Sequence, residues 1–462
     1  MIRSRQTSIH PIGADAHLLI DSFSGAIDVV DDATLERYVS VEDADSATAT
    51  TLESDLVARG YAFDSHAEEE ASRSLLMNKI DVMTERRTTQ FVVCPTGYCN
   101  FRCVYCYESE AMRSTPTTLP VSAIDAIFDQ GIPGVERVFP TRPASIQLFG
   151  GEPLLPHSKS AVKHVLRRSQ DASYPVSIIS NGFCVNHYRD VLESYAGVID
   201  SVQITLDGPP EVHNRRRKLS TGGGTFDQVV SGIDTLLELG IAVRLRINLD
   251  AENVTHLPSL SRLIVDKGWN ERRFFYADVA PVTDHLQSGL VPNLLREDEL
   301  LEALLPVLAD DDTRAVVNFR TFRVLNHLIG VIEGRQGLDS FAASYYCEAN
   351  KQEVIVFGHD GIVYPCPECV GDIEMGVGRF VPDWELDEEK LARWADRTVF
   401  TLSKCLDCSV AGFCGGGCAY AAIKSNGDIS DPVCNRAPEL VSKYIESRRG
   451  LLEQLAKSAA RE

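Results

Sequence analysis

Three cysteines within eight residues constrain this chain more than any other feature. They lie in Cys94-Pro-Thr-Gly-Tyr-Cys99-Asn-Phe-Arg-Cys103-Val-Tyr-Cys106-Tyr107, directly after the apolar run Phe91-Val92-Val93. Gly97 and Asn100 in the same stretch mark a turn-rich loop rather than a packed element. Four thiolates ordinarily close an iron–sulfur cube. A C-x3-C-x2-C trio therefore leaves one iron open to another ligand, and an open metal position serves chemistry more often than structure.

The rest of the composition narrows the setting. The chain has 462 residues, roughly three domains at ~150 residues each. No apolar run reaches the ~18 residues of a membrane span, and Met1-Ile-Arg-Ser-Arg lacks the apolar core of a secretory signal. The expectation is a cytoplasmic protein without a membrane partner. A formal charge of −21 argues against a nucleic-acid partner, whose phosphates demand cationic residues. A basic peptide would be steered favourably. In a reducing compartment thirteen cysteines do not read as a disulfide framework. Four lie between Cys94 and Cys106, Cys184 stands alone, and eight lie between Cys347 and Cys434, which reads as metal or cluster binding at two places.

Residues 1–85 read as a small α+β module. His17–Asp21 and Ala26–Val30 flank Ser22-Phe-Ser-Gly25 as a hairpin, helices follow over 33–39 and 47–60, and Gly60–Phe63 reads as a short strand. Residues 86–340 alternate strands and helices, the pattern of βαβ units on a parallel sheet. The strands are predicted at Gln90–Val93, Ser145–Phe149, Val176–Ser180, Val202–Leu206, Val243–Leu249 and Arg273–Tyr276. Six strands are too few for a closed eight-stranded barrel, so the expected α/β fold is a partial (β/α)6 TIM-type barrel. Gln203, Thr205 and Asp207 share one strand face, as do Arg244, Arg246 and Asn248, so a polar face should line a ligand cavity. Arg215-Arg-Arg-Lys218 and Gly222-Gly-Gly224 read as a basic, flexible, solvated loop. Helices over 297–308 and 321–332 lead to a cysteine-rich region at 341–440. There Gln352–Phe357 and Ile362–Tyr364 make a hairpin, and one amphipathic helix over Pro438–Lys457 ends the chain in a last segment, 441–462.

With its aromatic follower, the Cys99/Cys103/Cys106 loop resembles that of the radical S-adenosylmethionine enzymes. The resemblance implies that these cysteines bind a 4Fe–4S cluster, that S-adenosylmethionine occupies the fourth iron, and that Tyr105 lies near its adenine. Phe149-Gly150-Gly151-Glu152-Pro153, after the second strand, is similar to the family's Gly-Gly-Glu motif, which holds the methionine amino group. Adjacent glycines allow close backbone approach, and a carboxylate suits an ammonium. Ser180-Asn181-Gly182 ends the third strand and resembles the family's polar cofactor contact, although a simple turn also explains it. Cys94 reads as a strand-end thiol and Cys184 as core.

The C-terminal order Cys347…Gly361-x4-Cys366…Cys405-x2-Cys408-x5-Cys414-x3-Cys418…Cys434 resembles the SPASM domain, which carries two auxiliary 4Fe–4S clusters. By that resemblance Cys405, Cys408, Cys414 and Cys434 bind the outer cluster, and Cys347, Cys366 and Cys418 the inner one. Cys369, in Cys366-Pro-Glu-Cys369, is expected to complete the inner set.

The resemblance implies a radical maturase that cleaves S-adenosylmethionine to a 5′-deoxyadenosyl radical and oxidatively modifies, for example cross-links, a ribosomally made precursor peptide. Its electrons would come from a small donor such as flavodoxin or ferredoxin. Arg244, Arg246 and Asp207 are expected to line the cavity and orient cofactor or substrate, and Glu368 to act as acid or base. The N-terminal module looks like a leader-peptide-recognition domain, with a structural cap as the plainer alternative. A sulfatase-type maturase forming formylglycine is a second reading, weakened by Pro367 where that branch carries an aspartate. An iron–sulfur electron carrier and a zinc scaffold are the non-enzymatic readings.

Overall fold

The computed structural model describes residues 1–41, 50–84, 88–139, 143–284, 289, 291–318, 322–334 and 345–459. The expected helix starts at 47 and 321, and the expected limits at 85/86 and 340/341, lie outside the described residues. The limit at 440/441 falls inside a helix, Ala437–Ser447. No helix among the described residues is long and apolar enough to cross a membrane.

The N-terminal strands are β1 (Ile2–Arg3), β2 (Thr7–Pro11), β3 (Ala16–Asp21), β4 (Ile27–Asp31) and β5 (Ala62–Phe63). β3 and β4 form the expected hairpin, with Ile20 opposite Ile27 and Gly25 turning at φ +72°. β2 adds a third strand, and β1 pairs with β5. The helix His66–Thr84 was not anticipated, because its sequence carries no regular apolar stripe. This module grips the cysteine-rich end. Gln6 Nε2 donates to the Leu406 carbonyl at 2.6 Å, Arg5 pairs with Asp407 at 3.0 Å, and the Phe23 and Phe400 rings lie 4.9 Å apart.

β6 (Thr89–Val93) runs into the cysteine loop, which contains β7 (Phe101–Cys103). Then come β8 (Ala144–Leu148), β9 (Val176–Ser180), β10 (Ile199–Thr205), β11 (Arg217–Leu219), β12 (Ala242–Leu249), β13 (Phe275–Pro281) and β14 (Val317–Asn318). Past these lie β15 (Val354–Phe357), β16 (Ile362–Tyr364), β17 (Gly378–Arg379) and β18 (Glu385–Leu386). Strands β6, β8, β9, β10, β12, β13 and β14 pair in parallel in that order, which is the open partial barrel expected, with a short seventh strand added. In β12, Val243, Leu245, Ile247 and Leu249 are buried toward the helices, while Arg246 and Asn248 remain partly accessible.

The far edge differs from expectation. β15 pairs in parallel with β6, Val354 opposite Gln90, so the β15–β16 hairpin extends the barrel sheet instead of standing apart. It covers an edge that would otherwise be exposed. The expected continuous C-terminal helix is two, Ala437–Ser447 and Arg449–Ala459. Arg448 leaves helical geometry at φ −105°, its Nε reaches Glu333 at 2.9 Å, and Gly450 follows.

Candidate functional site

The buried β6 delivers the chain into the cysteine loop. Cys94 is fully buried at the strand end, as expected, whereas Cys184 is only half-buried rather than core. Cys99 is buried, and Cys103 and Cys106 are partly accessible. Burial holds the Cys99 thiol well above its ordinary range, and Cys103 and Glu152 push it further. Burial, Glu108 and Cys103 raise Cys106 to about 12. Three thiols that resist ionisation in one another's presence need a cation to become ligands. The donor set therefore fits an iron–sulfur cluster. Among the described residues no three His, Cys, Asp or Glu side chains converge on a single metal ion.

The Gly150-Gly151-Glu152 turn lies directly on that loop. Gly150 and Gly151 adopt φ +89° and +46°, and a Cβ on Gly151 would stand 2.3 Å from the Tyr98 carbonyl. The amide of Glu152 donates to Tyr98 O at 2.9 Å, and that of Gly151 to Glu108 Oε1 at 2.9 Å. Glu152, 1% exposed, accepts from Leu154 N (2.8 Å), Ser180 Oγ (2.8 Å) and Asn181 N (2.6 Å). Asn181 Nδ2 in turn reaches Asn100 Oδ1 at 2.8 Å and lies 4.0 Å from Cys99 Sγ. Ser180-Asn181-Gly182 is indeed a turn, with Gly182 at φ +84°, and it is tied to the cysteine loop through the Ser180 hydroxyl and Asn181 amide on Glu152 and through the Asn181 side chain on Asn100.

Tyr105 anchors a third group. Its hydroxyl bonds Asp207, accepts from Arg217 Nη1 at 2.7 Å and meets Asn248 Nδ2 at 3.2 Å. Arg216 stacks 5.1 Å from its ring centroid. Asp207 is 1% exposed and accepts from the Asn248 amide at 2.9 Å, so it positions Tyr105 rather than facing an open cavity. The expected solvated basic loop is also corrected. Arg216 is fully buried between Asp250 and Asp207, and β11 pairs with β7, placing Arg217 opposite Cys103. Acidic partners on neighbouring loops make that burial possible.

Arg246 opens onto a cavity of about 640 Å³ between the barrel and the cysteine-rich end. Arg244, expected beside it, is exposed and not on its wall. Cys347, Cys366, Cys414 and Cys418 line the cavity, together with Glu297, Arg323 and Glu368. Burial pushes Glu368 up to about 8, helped by Glu108 and opposed by Arg246.

The eight C-terminal cysteines fall into two electrostatically linked groups. Cys347 and Cys418 feel Cys366, Cys366 shares a hydrogen bond with the fully buried Cys369, and Cys369 feels Cys418. Separately, Cys405, Cys408 and Cys414 feel Cys434. Sequence reasoning did not find Glu108, Arg217, Arg323 or Arg397. For Arg217 the tri-arginine run was a signal, but it carries no mark of which side chain turns inward.

Residues 93–263 match the model of the Radical SAM superfamily. A GTP 3',8-cyclase from Paenarthrobacter nicotinovorans is 30% identical over 193 residues, which cover 40% of this chain and 50% of that protein. The chain thus spans about half the length of that relative. The structure of anSMEcpe with bound AdoMet aligns at a TM-score of 0.59 and 18% identity, over 80% of this chain and 99% of its own. Streptococcus suis SuiB bound to precursor peptide SuiA aligns at 0.51 and 15% identity, over 93% and 98%. At these identities the likeness establishes the fold.

Proposed function

We propose that this chain, whose residues 93–263 match the model of the Radical SAM superfamily, is a radical S-adenosylmethionine peptide maturase whose C-terminal cysteines form a SPASM domain. The observation that carries this reading is the shared cavity, onto which Arg246 of the barrel and Cys347, Cys366 and Cys418 of the C-terminal region all open. Support also comes from two fold neighbours that were solved with peptides, anSMEcpe with Cp18Cys peptide and SuiB with SuiA.

In this reading Cys99, Cys103 and Cys106 hold one 4Fe–4S cluster. Cys347, Cys366, Cys369 and Cys418 hold the inner auxiliary cluster, and Cys405, Cys408, Cys414 and Cys434 the outer one. With S-adenosylmethionine bound, the first cluster supplies reductive cleavage to a 5′-deoxyadenosyl radical, fed by a small donor such as flavodoxin or ferredoxin. Gly150, Gly151 and Glu152 shape the cofactor's seat by fixing Ser180 and Asn181 against the cysteine loop. Tyr105, held by Asp207 and Arg217, presents a fixed aromatic face to the cofactor. Arg246 orients the peptide in the cavity. Glu368, with its carboxyl raised to about 8, holds a proton near neutrality and can exchange it with substrate. The N-terminal module recognises the precursor's leader, and the peptide is oxidised, for example by cross-linking. The reaction belongs in the cytoplasm, where its donors are.

The test is anaerobic reconstitution with a chemical reductant, followed by assay for 5′-deoxyadenosine, and co-expression with the short open reading frame beside the gene. The expected result is 5′-deoxyadenosine together with a peptide lighter by two hydrogens. Intact clusters without 5′-deoxyadenosine would leave an electron carrier. Conversion of an arylsulfatase peptide to formylglycine would instead make it a sulfatase-type maturase.

A further inference from the structure

Arg397 follows the helix Glu388–Ala395 and is 3% exposed. Its guanidinium donates three hydrogen bonds, all to main-chain carbonyls: Nε to Ile429 at 2.7 Å, Nη1 to Gly417 at 2.8 Å and Nη2 to Gly416 at 2.6 Å. Gly416 and Gly417 belong to Cys414-Gly-Gly-Gly-Cys418, the run that joins the two cysteine groups. Gly415, Gly416 and Gly417 have φ of +72°, +88° and +73°, and a Cβ on Gly416 would come within 2.5 Å of Leu402. Only glycines allow the run to fold down onto the guanidinium.

What Arg397 lacks is a counter-anion. No carboxylate among the described residues pairs with it, and carbonyl dipoles offset only part of the penalty of burying a full charge. Burial acts to discharge it. The groups that favour its charged form are Cys418 and Cys347 from one cysteine group and Cys405 and Cys414 from the other. A buried cation between two sets of sulfur ligands is at home only if both sets carry negative charge, as thiolate-bound clusters do.

We propose that Arg397 is a positioning residue shared by the two C-terminal cysteine sites. It fixes the Cys414–Cys418 run through its carbonyls and supplies the positive charge that anionic clusters on both sides require. The inference rests on the reading that iron–sulfur clusters occupy these cysteines. Net charge near a cluster is one of the terms that set its reduction potential, and a nearby cation favours the added electron. One side chain should therefore raise the potentials of both C-terminal clusters together, leaving the Cys99 cluster apart.

The experiment uses the full chain, reconstituted without oxygen, with iron analysis and redox titration followed by electron paramagnetic resonance. Arg397→Gln should move both C-terminal midpoint potentials to more negative values and leave the Cys99 cluster unmoved. Arg397→Lys, which keeps the charge, should hold both near wild type. Equal shifts in the Lys and Gln variants, a shift in only one cluster, or no shift would overturn the proposal. Should the Gln variant fail to load iron at the C-terminal cysteines, loading by the Lys variant upholds the charge requirement, and failure of both overturns it. A wild-type chain that takes up no iron at these cysteines would instead refute the functional reading, before any variant is compared.

Discussion

The amide of Gly412 donates a hydrogen bond to Ser22 Oγ at 3.2 Å, joining residues 390 positions apart. A Cβ on Gly412 would stand 2.0 Å from the Ser22 carbonyl oxygen, so only glycine permits the approach. Gly412 lies between Cys408 and Cys414, and the N-terminal hairpin turn therefore bears on the loop proposed to hold the outer cluster. His327 extends this contact, with Nε2 2.9 Å from the Gly25 carbonyl and its ring stacked on Phe413. Gly412→Ala is expected to destabilise the chain by about 1–3 kcal/mol, the usual range for overpacking, and to lower iron retention at the outer site. Urea unfolding of the iron-free chain and iron analysis check it. A wild-type midpoint would mean that the hairpin yields without loss.

The tri-arginine run allows a comparison between neighbours. Arg216 Nη1 contacts both oxygens of Asp250, at 2.7 and 2.6 Å, and its Nη2 reaches the Asn248 carbonyl at 3.1 Å. Removing one partner of a buried pair strands the other charge, so Arg216→Ala should cost about 3–5 kcal/mol. The Arg215 side chain is 59% exposed beside Glu252, and Arg215→Ala should stay within about 0.5 kcal/mol. Denaturant titration of the two variants distinguishes them, and equal losses would contradict the burial seen here.

That contrast marks where the sequence stops being readable. The barrel strands were legible because apolar and polar residues alternate along Val243–Leu249, and the cysteine loop because its spacing is local. Glu152 was found from its glycines, but its bonds to Ser180 and Asn181 cross between strand ends and leave no local trace. Arg216 and Arg397 look like surface cations in sequence. Their burial depends on partners on other loops, from Asp207, 9 residues away, to Asp250, 34 away, for Arg216, and 19 to 32 residues away for Arg397. The β15–β6 pairing was missed for the same reason, since edge pairing is set by tertiary packing and not by the pattern within either strand.

Glu297 supplies a pH signature. It lines the cavity, and burial pushes its carboxyl up to about 7 against the opposing pull of Arg323. Because the folded value lies above the ordinary one of 4.5, the folded chain holds the extra proton in between. Its contribution thus disfavours folding increasingly as pH rises through that window, and fully above about pH 7. Glu297→Gln lacks this penalty. Relative to wild type it should gain roughly 1–2 kcal/mol at pH 8, for a group that water partly reaches, and little at pH 5. Urea midpoints of the iron-free proteins at both values provide the measurement, and a larger gain at pH 5 would reverse the sign assigned here.

Glu152→Gln tests the hinge between the glycine turn and the cysteine loop. Oε1 accepts from both Leu154 N and Ser180 Oγ, and Oε2 accepts from Asn181 N, so every contact needs an acceptor. A glutamine offers one oxygen and turns an amide N–H toward a donor on the other side. Hydrogen bonds to a charged group are worth about 1.5–3 kcal/mol each, so a loss of about 2–4 kcal/mol is expected. Ser180→Ala removes one donor to the carboxylate and the acceptor of the Gly182 amide, and should cost about 1.5–2 kcal/mol, the low end of that range. The two should also separate in iron content. Asn181, which bonds Asn100 and borders Cys99, is held by Glu152 through its own amide and not through Ser180. Glu152→Gln is therefore expected to release iron from the Cys99/Cys103/Cys106 site, while Ser180→Ala retains it. Equal retention by both would show that Asn181 keeps its place without the carboxylate.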